Sequence, residues 1–190
     1  MGRQKRTKDS HNRIFIAAEI FPPDIGGPAT YALNLANELN QRGFNIRILC
    51  YGKPETNELS KNIQINWVSK KWPLVFKYFL YFLKLLFFSQ GFDVIYAQGP
   101  VASGLPALWV KKLTGKKIMV KVVGDYAWEQ AIQNNITNKL VDEFQKEKSS
   151  GKYSKLQKIE RKVCQAADKV ITPSNYLKPV SYTHLTLPTN

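Results

Sequence analysis

The sequence predicts a doubly wound α/β fold with a mainly parallel sheet and helices on both faces. Three observations support this. Short, β-branched apolar runs alternate along the chain with segments of helical periodicity. Most of those runs are almost continuously apolar, as strands covered on both faces are. The first run also leads through a Pro- and Gly-rich loop directly into an amphipathic helix, which sets a helix N-terminus at the carboxyl edge of the sheet.

The elements follow in order. The opening MGRQKRTKDSHNR holds five basic residues and one acid and has no apolar stretch, so residues 1–12 read as a disordered basic arm and not as a signal peptide. The first strand is Arg13–Ala18. The loop after it places three prolines and the pair Gly26, Gly27 in the eight residues that follow Ile20. Without Cβ atoms there, a ligand can approach the main chain, and N–H groups at a helix start attract anions. A plain connector with turn glycines accounts for the same residues.

A helix over 28–42 follows, with Ala29, Ala32, Leu33, Ala36 and Leu39 on one stripe. Pro28 suits its first position, and Gly43 stands where a left-handed cap is wanted. Further strands are expected at Asn45–Tyr51, Ile63–Val68, Asp93–Ala97, Lys117–Val123 and Lys169–Thr172, and further helices at 73–89, 101–114 and 152–167.

The helix at 73–89 belongs to KKWPLVFKYFLYFLKLLFFSQ, the most apolar stretch of the chain. Its uninterrupted apolar segments are shorter than the roughly 20 residues a bilayer span requires. Lys77 and Lys84 share a face, and Trp72, Phe76 and Phe79 exceed what one packing face needs. The pattern suits a helix lying in a membrane interface, with its aromatics down and its lysines towards lipid phosphates. A helix packed on the sheet with a solvated lysine side is the competing reading.

Composition narrows the function. Hydrophobic residues make up 44% of the chain, enough for a core, and the net charge of +14 suggests an anionic partner. Cys50 and Cys164 show no CxxC spacing and read as buried thiols. The two histidines, His11 and His184, lie in the terminal tails, which argues against a Ser-His-Asp triad or a histidine metal site within the domain. No D-x-D pair, G-x-G-x-x-G or G-K-[ST] occurs, so no metal site, dinucleotide fingerprint or P-loop is expected. No nucleic-acid-binding signature appears, and nucleic acid is not expected as a partner.

Four stretches, in order, carry a resemblance: FPPDIGGPATYALNLANELNQRGFNIRILCYG, FDVIYAQGPVASGLPA, KIMVKVVGDYAWEQA and KIERKVCQAADKVITPSNYLK. Together they resemble the amino-terminal domain of family 4 glycosyltransferases, which have the two-domain GT-B fold. The likeness covers roughly residues 13–180. It implies a Rossmann-like, acceptor-side domain of a retaining enzyme that moves a sugar from a UDP- or GDP-linked donor to a glycan or lipid-linked acceptor of the cell envelope. It implies no bound cofactor beyond that donor, and a cytoplasmic protein with peripheral contact to the inner face of the plasma membrane.

The resemblance places Gly26 and Gly27 next to the donor diphosphate. The family's second, donor-binding domain, with its paired glutamates, has no counterpart in these residues, so the chain alone is expected to be inactive. Many relatives carry a histidine after the fifth strand; here Gly124 takes that place and Asp125 follows, and Asp125 is the candidate to orient an acceptor or sugar hydroxyl. Glu129 shares its face if a helix begins there. A helix cap with a first-turn acid explains both equally. Glu19, Gln98, Gly99 and Ser174 are further cleft candidates that also fit as turns or caps.

The final SYTHLTLPTN does not continue the family pattern and resembles translated sequencing-adapter read-through, so residues 181–190 are set outside the fold. A rival reading is a non-catalytic basic module that binds anionic lipid or nucleic acid. A nicotinamide-dependent oxidoreductase is disfavoured by the missing fingerprint.

Overall fold

The computed structural model describes residues 13–140, 143, 144 and 151–173. Six parallel strands form one sheet in the order β3-β2-β1-β4-β5-β6, so the strand order reverses between β1 and β4. The strands are β1 (Arg13–Ala17), β2 (Asn45–Tyr51), β3 (Gln64–Val68), β4 (Val94–Ala97), β5 (Lys117–Lys121) and β6 (Lys169–Ile171). The helices are α1 (Gly27–Gln41), α2 (Leu74–Phe88), α3 (Gly104–Thr114), α4 (Tyr126–Gln133) and α5 (Gly151–Ala166). The expected α/β, Rossmann-like class is thus what forms, with the ends of the expected elements unchanged or shifted by up to three residues.

Two cores lie on opposite faces of the sheet. On one face, the expected α1 stripe of Ala32, Leu33 and Ala36 packs on Ile16, Ile48 and Cys50, with Leu59 and Ile63 from the β2–β3 connection. On the other, Tyr81 and Leu85 of α2, Leu108 of α3 and Val163 of α5 pack on Phe15, Ile95, Ile118 and Val120. Burial of such side chains contributes about 1.5–3 kcal/mol each. Pro28 stands in the first turn of α1, and Gly43 closes that helix at φ 87°. The buried Tyr81 hydroxyl fastens α2 to the strand ends, lying 2.9 Å from the Ala18 carbonyl and 3.0 Å from that of Leu49.

β5 is covered unevenly: Ile118 and Val120 are buried, Lys117 is exposed, and Met119 and Lys121 are half-buried. The crossover that carries α1 runs from β1 to β2, so α1 covers β1, β2 and the near side of β4. Met119 of β5 and Ile171 of β6 pack, only partly buried, against the margin of the α1-side core.

Candidate functional site

In an open parallel sheet, ligands bind outside the carboxyl ends of the strands where the order reverses. Here that point lies between β1 and β4. The loops after β1, β4 and β5 supply Glu19, Gly26, Gln98, Gly99, Gly124 and Asp125 to this one edge, the first residue of α1 adds Gly27, and α4 and α5 add Glu129 and Glu160.

The β1 loop is pinned along its length. Phe21 is buried in the α1-side core, the Pro22 carbonyl accepts from the Glu55 N–H at 2.6 Å, and Asp24 Oδ2 pairs with Lys70 Nζ at 2.7 Å. The tip is open: Ile25 is fully exposed. The two glycines that follow have different causes. Gly26 sits at φ 149°, ψ 156°, a conformation reserved in practice for glycine, and a Cβ would also touch Ile20 and Pro28. Gly27 needs no such exemption, and a Cβ there would meet open space. The chain's own packing therefore explains Gly26 and leaves Gly27 unexplained.

Two helix N-termini flank the switch point, and they differ. The start of α3 is occupied: the Ser103 N–H donates to Glu19 Oε1 at 3.3 Å, and the Ser103 hydroxyl, which accepts from the Gly99 N–H at 3.1 Å, lies 3.4 Å from the same oxygen. The start of α1 carries no side-chain cap and no acid in its first turn. Ala29 and Thr30 donate back to the Gly26 carbonyl, Pro28 has no N–H, and the Gly27 N–H has no acceptor among the described residues. The positive end of a four-turn helix is left facing the crevice.

Gly99 and Gly124 make room for neighbouring carboxylates. A Cβ on Gly99 would run into the Glu19 carboxylate, and one on Gly124 would meet Glu129 Oε1. Asp125, buried, is the N-cap of α4: its Oδ1 accepts from the Trp128 N–H at 2.9 Å. Both uses of Asp125 were open from the sequence, and the cap is what the geometry displays.

Glu160 was missed by sequence reasoning. It is 2% exposed on α5, and it accepts from the Tyr126 N–H at the start of α4. Burial, with Asp125 and Glu129 nearby, pushes its carboxyl up to about 8. Glu19 is also raised, by burial against the opposing N–H groups of Ser103 and Ala102, and Glu129 is raised by burial and by Asp125. The edge between α3, α4 and α5 thus gathers three carboxyls that burial shifts towards their protonated forms. Among the described residues, no group of three or more His, Cys, Asp or Glu is arranged to hold a metal ion.

Gln98 is 7% exposed, and both its amide nitrogen and oxygen lack a partner among the described residues. Ser174, the basic arm and residues 181–190 lie outside the described residues. Trp72, just before α2, and Phe76 and Phe79 on it are exposed, whereas Lys84 Nζ donates to the Trp67 carbonyl at 2.6 Å and Lys77 Nζ lies 5.7 Å from the Tyr51 ring centre. No described helix is long and apolar enough to cross a membrane.

The comparisons with known proteins agree with this architecture. A family model described as Glycosyltransferase Family 4 matches residues 25–185. Anabaena HepE, solved with UDP and glucose, aligns with a TM-score of 0.61 at 13% identity over 93% of this chain and 41% of its own. The UDP-GlcNAc 2-epimerase of Methanocaldococcus jannaschii gives 0.57 at 8% identity, over 92% of this chain and 42% of its own. Arabidopsis thaliana UGT89C1, complexed with UDP, gives 0.55 at 10% identity, over 90% and 47%. The chain therefore spans less than half the length of each of these structures. No curated protein matches it in sequence.

Proposed function

The chain belongs to Glycosyltransferase Family 4, and on that premise we propose that it forms the acceptor-side lobe of a nucleotide-sugar-dependent glycosyltransferase. The observation that carries this reading is the contrast between two helix ends at one switch point. The α3 end is filled by Glu19, while the α1 end is uncapped, free of acids, and fronted by a glycine with open space beside it. Such an end favours an anion, and the diphosphate of a sugar donor has the charge and the oxygen atoms for it. HepE and UGT89C1 are structural neighbours solved with UDP, which supports a nucleotide diphosphate here. Stabilising a leaving diphosphate needs more donors than one helix end supplies, so the lobe requires a second lobe to complete the cleft. In this reading the transfer proceeds with retention, the acceptor is a glycan or lipid-linked molecule of the cell envelope, and the isolated lobe is inactive.

Exposed Trp72, just before α2, and the exposed Val75, Phe76 and Phe79 on it support peripheral attachment to an anionic membrane, where lipid-linked acceptors reside. The α2 face opposite, with Tyr81 and Leu85, is the one used for packing.

The test is sugar transfer from UDP- and GDP-linked donors by the protein with its following lobe, in wild-type and Gly27→Leu forms. Loss of transfer in a normally folded variant is expected; undiminished transfer overturns the close-approach role.

A further inference from the structure

We propose that Lys121 and Gln98 form, beneath the first turns of α1, the floor of a diphosphate-binding subsite. The inference deepens the reading above and rests on it for the identity of the anion.

The placement follows from register. β4 and β5 pair Ala97 with Val120, so one step towards the carboxyl edge sets Gln98 beside Lys121. Side chains alternate along strands, and Tyr96 and Met119, two residues back on each strand, belong to the α1-side core. Gln98 and Lys121 therefore share the α1 face. The roof is fixed independently: Lys121 Nζ lies 3.1 Å from the centre of the Tyr31 ring, and the Tyr31 hydroxyl, on α1, is 3.1 Å from that of Tyr96.

Three features there lack an anionic or hydrogen-bonding counterpart, although the Lys121 ammonium rests on the Tyr31 ring. Lys121, half-buried, joins none of the ion pairs among the described residues, which are Arg42–Glu38, Lys70–Asp24 and Lys111–Asp168. The Gln98 carboxamide is buried with neither end bonded, and each unmet buried group costs about 1–3 kcal/mol. The α1 N-terminus, one turn before Tyr31, brings an uncapped end and an unbonded Gly27 N–H to the same carboxyl edge of the sheet. Water could satisfy Gln98 but would leave both positive groups unbalanced. A neutral sugar would leave them unbalanced too. An ammonium, a helix end and a carboxamide match a doubly charged, many-oxygen group. Burial already lowers the Lys121 pKa, so a bound anion would relieve that cost.

A diphosphate reaches such a site from a nucleotide-sugar donor or from a lipid-linked acceptor, and the experiment separates the two. The chain is titrated calorimetrically with inorganic pyrophosphate, then with UDP and with geranyl diphosphate. Saturable pyrophosphate binding is expected, weakened about tenfold or more in Lys121→Met and Lys121→Gln, and several-fold in Gln98→Leu. Lys117→Met removes the same charge from the exposed start of β5 and is expected to bind as wild type. Tighter binding of UDP assigns the site to the donor, and tighter binding of geranyl diphosphate assigns it to the acceptor. No saturable binding by the wild type, or equal affinity in folded Lys121 variants, overturns the proposal. Transfer that is lost in Gly27→Leu but intact in Lys121→Met overturns this site alone; Lys121-dependent pyrophosphate binding without sugar transfer by the two-lobed protein overturns the transferase reading alone.

Discussion

The carboxylate of Glu19 is seated on Ser103, whose N–H donates to it at 3.3 Å, and Gly99 lies so close that any side chain there would strike the same carboxylate. A strand end, a helix start and a glycine are thereby one unit. Gly99→Ala is expected to cost about 1–3 kcal/mol, because the added methyl displaces a buried, hydrogen-bonded acid. In a Glu19→Ala background the same substitution should cost markedly less. Urea denaturation of the four proteins in this cycle checks it, and additive effects would show that the two residues are not coupled.

Gly26 and Gly27 provide a second prediction, in which stability and activity part company. Gly26→Ala forces a side chain into φ 149° and is expected to destabilise by about 1–2 kcal/mol. Gly27→Ala meets open space at the start of a helix and should leave stability unchanged or raise it by up to about 1 kcal/mol. Sugar transfer by the two-lobed protein should nonetheless fall in Gly27→Ala, and further in Gly27→Leu. Thermal melting beside transfer assays reads both effects.

Much of this was legible in the sequence, and the exceptions have physical reasons. The stripe Ala32, Leu33, Ala36 and the cap position of Gly43 are local patterns, and they formed where periodicity put them. Asp125 was readable as a cap because capping needs only its own helix. Glu160 was not, since it stands among Lys158, Arg161 and Lys162 and is buried only because α5 turns that position towards the start of α4. The neighbours Gln98 and Lys121 required the β4–β5 register, a long-range quantity. The run KIMVKVV is apolar apart from Lys117 and Lys121, and its alternation into buried and half-buried residues depends on what packs on each face of the sheet.

Asp125 allows a clean separation of capping from chemistry. Asp125→Ala removes the acceptor for the Trp128 N–H and is expected to cost about 1 kcal/mol. Asp125→Asn keeps a good cap and should be close to wild type in stability. If Asp125 also orients a substrate hydroxyl through its charge, transfer by the two-lobed protein should drop in the Asn variant although its melting does not. Parallel retention of stability and transfer in Asp125→Asn would leave the residue a cap only.

Glu160 makes stability depend on pH. Folding lifts its pKa from an ordinary 4.5 to about 8, so between those values the folded protein holds a proton that the unfolded chain has released. The group's full stability is present below 4.5 and is lost as pH rises through about 8, with a slope of up to ~1.4 kcal/mol per pH unit for one proton. Glu19 and Glu129, raised for the same reason, act in the same direction. Urea midpoints across this range should fall with pH in the wild type and fall less in Glu160→Gln. An identical slope in the two proteins would mean that Glu160 is not protonated in the fold.

The last prediction concerns α2, whose two apolar stripes face different surroundings. Tyr81 and Leu85 are fully buried, and the Tyr81 hydroxyl is committed to the strand ends, so that stripe belongs to the fold. Trp72, Val75, Phe76 and Phe79 recur at helical spacing and stay exposed, with the Trp72 and Phe76 rings packed edge to face 5.0 Å apart. Lys70 and Lys84 are held by Asp24 and the Trp67 carbonyl, which leaves the aromatic stripe, more than those lysines, to meet a surface. The chain is therefore expected to sediment with phosphatidylglycerol vesicles, and the double change Phe76→Ser, Phe79→Ser should reduce the bound fraction severalfold, with little effect on melting because both rings are exposed. High salt should weaken binding less than that double change does, since aromatic burial survives screening and charge attraction does not. Binding that disappears in salt but ignores the loss of both rings would assign attachment to the net charge of +14 and not to α2.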